Sequence, residues 1–394
     1  MMAKFLFYFS LGIVLYSYIG YGMLLYFLVF LKRHLFHHTK HLPLRAFEPE
    51  ITLVVTAYNE ADFIEKKIRN SLDLDYPPGK LHWIFITDGS TDETDALIRR
   101  YSQIRLLHEP ERKGKAAAMN RAIRHVETPY TIFCDANTLL NLNAVREIVR
   151  HYADPRVGGV AGEKKIIPGN QDEAVSAGEG LYWKYESWLK GLDSDLHSVV
   201  GAAGELFSVK TALFHEAAEN TIIEDFVQSL QICMDGYVIR YEPRAYAVEN
   251  ASASMKEEQK RKIRIAAGAF QAMGILKGLF NPFRYPVLSF QYISHRVLRW
   301  TLCPVCLLVC YAANAWLAFN PSGEIYLVFF LAQTVFYAGA LAGWILAAQN
   351  RRTWVLYIPY YFLFMNLSVC IGFYRWILNK QSAVWEKAAR HKPA

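Results

Sequence analysis

Polar and apolar residues are sorted along this chain into long blocks. Four stretches, 5–31, 300–323, 325–350 and 353–374, contain no Asp, Glu, Lys or Arg. A helix needs about 20 apolar residues to cross a bilayer, so each is long enough to span one. Between the first and second lies a polar block, roughly residues 46–256, the size of one sizeable domain. Its pattern changes period repeatedly. Ile51–Ala57 is a β-branched run that predicts a buried strand, ended by Tyr58-Asn-Glu60. From Ala61 to Asp73 the apolar positions Phe63, Ile64, Ile68 and Leu72 have helical spacing. Tyr76–Gly79 predicts a turn, Leu81–Thr87 a strand, Thr94–Tyr101 a helix, Ile104–Leu107 a strand, 115–125 a helix and 130–134 a strand.

That alternation predicts an α/β domain with a mostly parallel sheet and helices on both faces. In such sheets ligands bind outside the carboxyl ends of the strands. Asn59, Glu60, Asp88, Asp135 and Asn137 all fall just after predicted strands, so they are expected to converge in one crevice. Between 256 and 296 the basic residues Lys260, Arg261, Lys262 and Arg264 run into Ile265, Phe270, Met273, Leu276 and Phe280, which suits a helix lying at a membrane surface. Asn281-Pro282 and Tyr285-Pro286 then break it. The expected organisation is an N-terminal anchor with a basic flank (1–45), the α/β domain (46–256), an interfacial segment (257–296), membrane helices (297–378) and a basic tail (379–394).

Composition agrees with this division. Hydrophobic residues make up 53% of 394, yet the mean hydropathy is only +0.08, the average of a polar domain and a membrane platform. Disorder, a disulfide scaffold and a purely cytosolic protein are excluded, since four of the six cysteines (Cys303, Cys306, Cys310, Cys370) lie in apolar spans. The first span is too long for a cleaved leader and is followed, not preceded, by basic residues, which reads as an uncleaved anchor. Lys32, Arg33, Lys40 and Arg45 follow it without an acid, placing the domain on the cytoplasmic side of the cell (inner) membrane. His34, His37, His38 and His41 in this flank read as headgroup-level residues or a metal-binding group. The +7 net charge hugs the membrane, which points to lipid and away from nucleic acid. Four crossings would put the tail outside, while Lys380, Lys387, Arg390 and Lys392 favour the inside, so charge leaves its side open.

The turn after the first strand has no glycine pattern, and there is no phosphate-cradling lysine loop, so a dinucleotide enzyme is not indicated. Acidic strand ends would repel a bare pyrophosphate but suit one whose charge a divalent cation carries. Asp135-Ala-Asn137 offers hard oxygens suited to Mg²⁺ or Mn²⁺.

Five motifs in order then resemble a known family: Thr56-Ala-Tyr-Asn-Glu60, Thr87-Asp-Gly-Ser-Thr-Asp92, Arg112-Lys-Gly-Lys115, Phe133-Cys-Asp-Ala-Asn137 and Ile223-Glu-Asp225. Over roughly residues 50–300 the chain resembles the inverting family 2 glycosyltransferases of GT-A fold. Within them it resembles the membrane-embedded branch that includes hyaluronan, chitin, cellulose and poly-N-acetylglucosamine synthases. The resemblance implies that Tyr58, Glu60 and Asp88 hold the uridine of a nucleotide-sugar donor, with Lys115 near the same nucleotide. It places Asp135 and Asn137 in the metal motif, with an amide where the family has a second acid. Glu224 and Asp225 match the Thr-Glu-Asp motif, Ile223 replacing Thr, and Asp225 would be the general base. Where the polymerising branch carries Gln-x-x-Arg-Trp, this chain reads Arg261-Lys-Ile-Arg264-Ile265. Arg264 is kept for pyrophosphate and Arg261 adds a second guanidinium, but the Trp associated with the acceptor end is missing. Gly201-Ala-Ala-Gly204-Glu205 is expected on the acceptor side, with Gly204 and Glu205 as contacts, and Tyr182-Trp183-Lys-Tyr185-Glu186 reads either as a sugar-stacking surface or as core. The implied activity is sugar transfer to a glycan or lipid-linked acceptor for a cell-surface polysaccharide, with export partners. Single-sugar transfer to a polyprenyl-linked acceptor and an inactive membrane scaffold are the alternatives.

Overall fold

The structure, a computed structural model, describes residues 1–35, 47–167, 173–250, 254–320, 324–349 and 353–384. The flank residues Lys40, Arg45, His37, His38 and His41, the tail residues Lys387, Arg390 and Lys392, and the Tyr182 side chain lie outside what it describes.

The predicted strands are present as β1 (Ile51–Ala57), β2 (Leu81–Asp88), β3 (Ile104–Glu109) and β4 (Tyr130–Asp135). Further strands are β5 (Leu139–Leu140), β6 (Val157–Ile167), β7 (Leu206–Lys210) and β8 (Val238–Asn250). They form one sheet in the order β3-β2-β1-β4-β7-β6-β8-β5. The first four are mutually parallel, whereas β7 pairs antiparallel with both β4 and β6, so the sheet is mixed at its centre. Alternate residues of β1 face opposite layers: Ile51, Leu53 and Val55 enter one core with Phe85 and Ile132, while Val54 enters the other with Ile86, Phe133 and Phe207. Register brings Thr56 beside Asp135, Ala57 beside Thr87 and Asp88 beside Glu109, which aligns the strand ends along one edge.

The helices are α1 (Met2–Leu35), α2 (Ala61–Leu72), α3 (Thr94–Ile98), α4 (Lys115–Ile123), α5 (Ala144–Val149), α6 (Glu173–Leu196) and α7 (Glu224–Met234). They continue as α8 (Met255–Ile275), α9 (Pro286–Trp300), α10 (Leu302–Ala318), α11 (Glu324–Ala348) and α12 (Trp354–Ile377). Among the described residues three helices are long and apolar enough to cross a membrane, or four when the pair α9–α10, bent by 54°, is one span. Phe5, Phe9, Tyr26 and Phe27 on α1 and Val328, Leu331, Val335 and Trp344 on α11 are exposed, a surface suited to lipid and costly in water. The expected interfacial segment divides in two. Helix α8 ends at Ile275, and α9 starts with Pro286 at its first position, where the missing N–H costs nothing.

A buried ionic knot joins the membrane helices to the domain. Asp193 of α6 accepts from Tyr21 of α1 (2.5 Å) and Gln291 of α9 (3.0 Å), and lies 2.6 Å from Nδ1 of His295. Glu186, one helical face along, pairs with Arg296 (2.6 Å), His295 (3.2 Å) and Arg299 (3.4 Å). Burial alone would raise the Glu186 carboxyl, but Arg296 and His295 hold it well below the usual carboxylate range.

Helix α12 runs along α8. Tyr357 Oη reaches Met255 Sδ near one end, and Phe373 and Trp376 stack near Phe270 at the other. Gly372 permits the approach, since a Cβ there would lie 2.6 Å from Ala266 Cβ and 2.8 Å from the Ala267 nitrogen. After α12 the chain turns at Asn379 (φ 51°) and returns to the domain, where Val384 rests against Gly114. Residues 379–384 therefore lie on the side of the α/β domain, the side favoured by the tail's basic residues.

Gly372→Leu should force α8 and α12 apart, costing about 1–3 kcal/mol and lowering the apparent melting temperature of the detergent-solubilised protein. Gly274→Ala, where nothing lies within 4 Å, should leave that temperature unchanged within about 1–2 °C.

Candidate active site

The edge formed by the carboxyl ends of β1, β2 and β4 gathers the residues expected there. The turn after β1 is stitched to the turn after β2 by polar side chains. Asn59 sits in the left-handed region (φ 53°), its carbonyl oxygen accepting from the Thr91 amide at 2.7 Å. The Glu60 amide donates to Thr94 Oγ1 (2.9 Å), and Asp92 accepts from the first amide of α2, at Ala61 (3.1 Å). Tyr58 presents its ring to the Arg112 guanidinium, 3.5 Å from the ring centroid. Asp88 is 1% exposed, and its two oxygens accept from the Lys113 amide (3.1 Å) and the Gly114 amide (2.7 Å). The carboxylate thus shapes the Arg112–Lys115 loop.

Lys115 begins α4, and its ammonium is the centre of the crevice. It donates to Asp135 Oδ1 at the end of β4 (2.7 Å) and to the Gly204 carbonyl (3.4 Å), and lies 3.5 Å from Glu224 Oε1. Burial alone would lower its pKa, but Asp135, Glu224 and Asp225 raise it above the ordinary lysine value, so it stays charged. Glu224 and Asp225 are the first two residues of α7, a position where acids favour the helix dipole. Burial and the neighbouring Glu224 charge push Asp225 up to about 7, against the lowering effect of Lys115. Asn137, two residues after Asp135, has a buried Oδ1 with no hydrogen-bond partner among the described residues. Hard oxygens on Asp135 and Asn137, one of them unsatisfied, fit a divalent cation.

The Gly201–Gly204 loop closes the crevice. Gly201 has φ +87°, and a Cβ there would clash with the Phe226 ring, 2.0 Å from its Cδ2. A Cβ at Gly204 would lie 2.5 Å from the Lys115 ammonium and 3.1 Å from Asp225 Oδ2. From the other side Arg296 joins Glu186 to the Val200 carbonyl, tying this loop to the membrane knot.

Glu205 forms a second group. It pairs with Lys164 of β6, which also pairs with Glu249 of β8, and Lys164 is 1% exposed in its side chain. Burial would raise the Glu205 carboxyl, but Lys164 and Arg261 hold it far below its usual range. Arg261 belongs here. It is bound by both oxygens of Glu258 at 3.0 Å and shares the field of Glu205 and Glu249. Arg264 donates to the Ile222 carbonyl (3.2 Å), two residues before Glu224. The two arginines thus face different neighbours instead of forming one pair. Trp183 has the ammonium groups of Lys262, Lys164 and Lys190 at 5.5, 5.6 and 5.8 Å from its ring centroid.

Sequence reasoning missed Lys164, Lys190, Glu249 and the Asp193–His295 pair. Lys164 stands in Glu163-Lys-Lys165, which reads as a solvated charge run, and only the β6–β8 pairing turns it inward.

The family model described as "Glycosyl transferase family 2" matches residues 52–216. The poly-beta-1,6-N-acetyl-D-glucosamine synthase of Staphylococcus aureus is 28% identical over 260 residues, covering 62% of this chain and 61% of the relative. The protein of the same name from Staphylococcus epidermidis is 24% identical over 273 residues, covering 66% and 64%. The match thus spans about three fifths of the relatives' length. Among solved structures, the mannosyltransferase PcManGT from Pyrobaculum calidifontis, in complex with GDP-Man and Mn²⁺, superposes with a TM-score of 0.70 at 24% identity, covering 95% of this chain and 100% of that one. The resemblance to family 2 glycosyltransferases, and the α/β fold of GT-A type with membrane helices, are borne out by these matches.

Gly201→Ala should cost about 2 kcal/mol or more, because it adds backbone strain to a clash with Phe226. Gly79→Ala, at φ +79° but in open space, should cost about 1 kcal/mol. Thermal unfolding of the two variants side by side reads the difference.

Proposed function

We propose that this protein is a membrane-bound, inverting glycosyltransferase that moves a sugar, an N-acetylhexosamine or another hexose, from a UDP-sugar to a glycan or lipid-linked acceptor in cell-surface polysaccharide synthesis. The catalytic domain works at the cytoplasmic face of the cell membrane. The observation that carries this reading is the meeting of Asp225, Glu224, Lys115 and Asp135 at the strand ends, under a glycine loop tied to the membrane helices. The poly-N-acetylglucosamine synthase relatives support the polysaccharide assignment and the N-acetylhexosamine.

In this reading Tyr58, Glu60 and Asp88 form the nucleotide end, and Arg264 with Lys115 faces the diphosphate. Asp135 and Asn137 would hold Mg²⁺ or Mn²⁺, which neutralises charge on a departing diphosphate when bound. Asp225 takes the proton of the acceptor hydroxyl as that oxygen attacks the anomeric carbon. The glycosidic bond forms as the bond to the nucleoside diphosphate breaks, and the single displacement inverts the centre. A carboxyl poised near neutrality is an effective base at cellular pH, worth about 10²–10⁴-fold. Glu224 raises the basicity of Asp225 by its charge. Gly204 and Glu205 flank the acceptor hydroxyl, and Arg261 orients Glu205.

Asp225→Asn should abolish transfer while UDP affinity changes less than about threefold; full activity in that variant overturns the base assignment. Because the base must be unprotonated and Asp225 titrates near 7, kcat/KM should be level above about pH 8 and fall tenfold per pH unit below about 6. A profile flat across that range contradicts the assignment. Membranes of an expressing strain, offered a panel of nucleotide sugars, should turn over a UDP-sugar. Product mass then separates a polymer ladder from a single transfer, and absence of donor turnover with and without Mn²⁺ would support an inactive scaffold.

A further inference from the structure

The carboxylates of the crevice converge on an ammonium rather than on one another. Asp135 Oδ1 is 2.7 Å from Lys115 Nζ and Glu224 Oε1 is 3.5 Å from it, with the Gly204 carbonyl completing the set at 3.4 Å. No group of three or more His, Cys, Asp or Glu among the described residues is arranged to hold a metal ion. The lysine side chain is only 14% exposed, so this is a buried pairing and not a surface contact. Gly204 gives it room, because a Cβ at that position would press on Nζ at 2.5 Å. The arrangement is that of a cation site already filled by the protein's own cation.

A divalent ion on Asp135 bonds oxygen at about 2.0–2.2 Å. On either oxygen of that carboxylate, it would stand within a few ångströms of the ammonium, and two like charges that close repel strongly in a site shielded from water. A nucleoside diphosphate changes this balance. It supplies oxygens that ligate the divalent ion and a separate anion for lysine, whose flexible four-carbon stem lets the charge move without moving α4.

Taking the divalent-cation reading of Asp135 and Asn137 as its basis, we propose that Lys115 is a resident counter-ion that excludes metal from the empty site. It yields the Asp135 carboxylate only when a nucleoside diphosphate draws the ammonium away. Metal and donor then enter together, and the free protein holds little metal.

The test uses the full chain in detergent and Mn²⁺ alone, with bound Mn²⁺ read from the loss of the free-ion paramagnetic resonance signal. Wild type should bind Mn²⁺ weakly without nucleotide and at least about tenfold more tightly with UDP, against a blank of UDP without protein. Lys115→Met should bind Mn²⁺ at least about tenfold more tightly than wild type in the absence of UDP, and UDP should add little to that gain. Lys113→Met, which removes the same charge two residues away, should behave as wild type. Lys115→Met/Asp135→Asn should lose the gain. If Lys115→Met is too unstable to titrate, Lys115→Gln replaces it, and Mn²⁺ should raise the melting temperature of either variant more than that of wild type. Nucleotide-free affinity and melting shift equal to wild type in the Lys115 variants overturn the counter-ion role. No Mn²⁺ bound by wild type even with UDP overturns the divalent-cation reading instead.

Discussion

Asp135, at the end of β4, and the adjacent Glu224 and Asp225, at the start of α7, are brought within reach of one another by two separate parts of the chain, and their mutual repulsion in a buried crevice has to be met by a cation. Lys115 meets it at 2.7 Å from Asp135 and 3.5 Å from Glu224. An unpaired buried charge costs several kcal/mol, so α4, the end of β4 and the start of α7 hold together only with that ammonium among them. The same constraint explains why Gly204 lacks a side chain and why Asp225 sits near neutrality. Burial and the like-charged Glu224 outweigh the lowering effect of Lys115 on Asp225.

Around this centre the structure is a series of clamps between the α/β domain and the membrane helices. Gly268 of α8 abuts Ile222 and Ile223, and Arg264 holds the Ile222 carbonyl, so α8 sets the start of α7. Helix α12 braces α8 from outside through Gly372. The Asp193–His295–Glu186 knot fixes α6 and α9 to α1, and Arg296 carries that fixation to the loop ending at Gly204. Glu205, Lys164, Glu249 and Arg261 make a second group of paired opposite charges, and the Glu205 charge also reaches Asp225.

The first half of the domain was legible because its signals are local. Ile51–Ala57 and its successors alternate with amphipathic helices, and polar or acidic residues stand at or just after the strand ends. The membrane segments were legible because charge is absent from them. The break after α8 was legible from Asn281-Pro282 and Tyr285-Pro286, but the packing of α8 was not, since a basic flank with an apolar run fits both a surface helix and a helix wedged between the domain and α12. Lys164, Glu249 and Asp193 were not legible, because a charged residue declares burial only through partners far away in sequence.

The sequence by itself determined the α/β alternation, the acidic strand ends, the apolar spans and the motif order that resembles the family 2 glycosyltransferases. All of these depend on residue type and short-range spacing. Tertiary structure decided which cation serves which acid. It set Lys115 among Asp135 and Glu224, gave Arg261 to Glu258 and the Glu205 group, and returned residues 379–384 to Gly114. Those choices depend on distances of a few ångströms between residues tens to hundreds of positions apart, and Coulomb energies in a buried site turn on such distances.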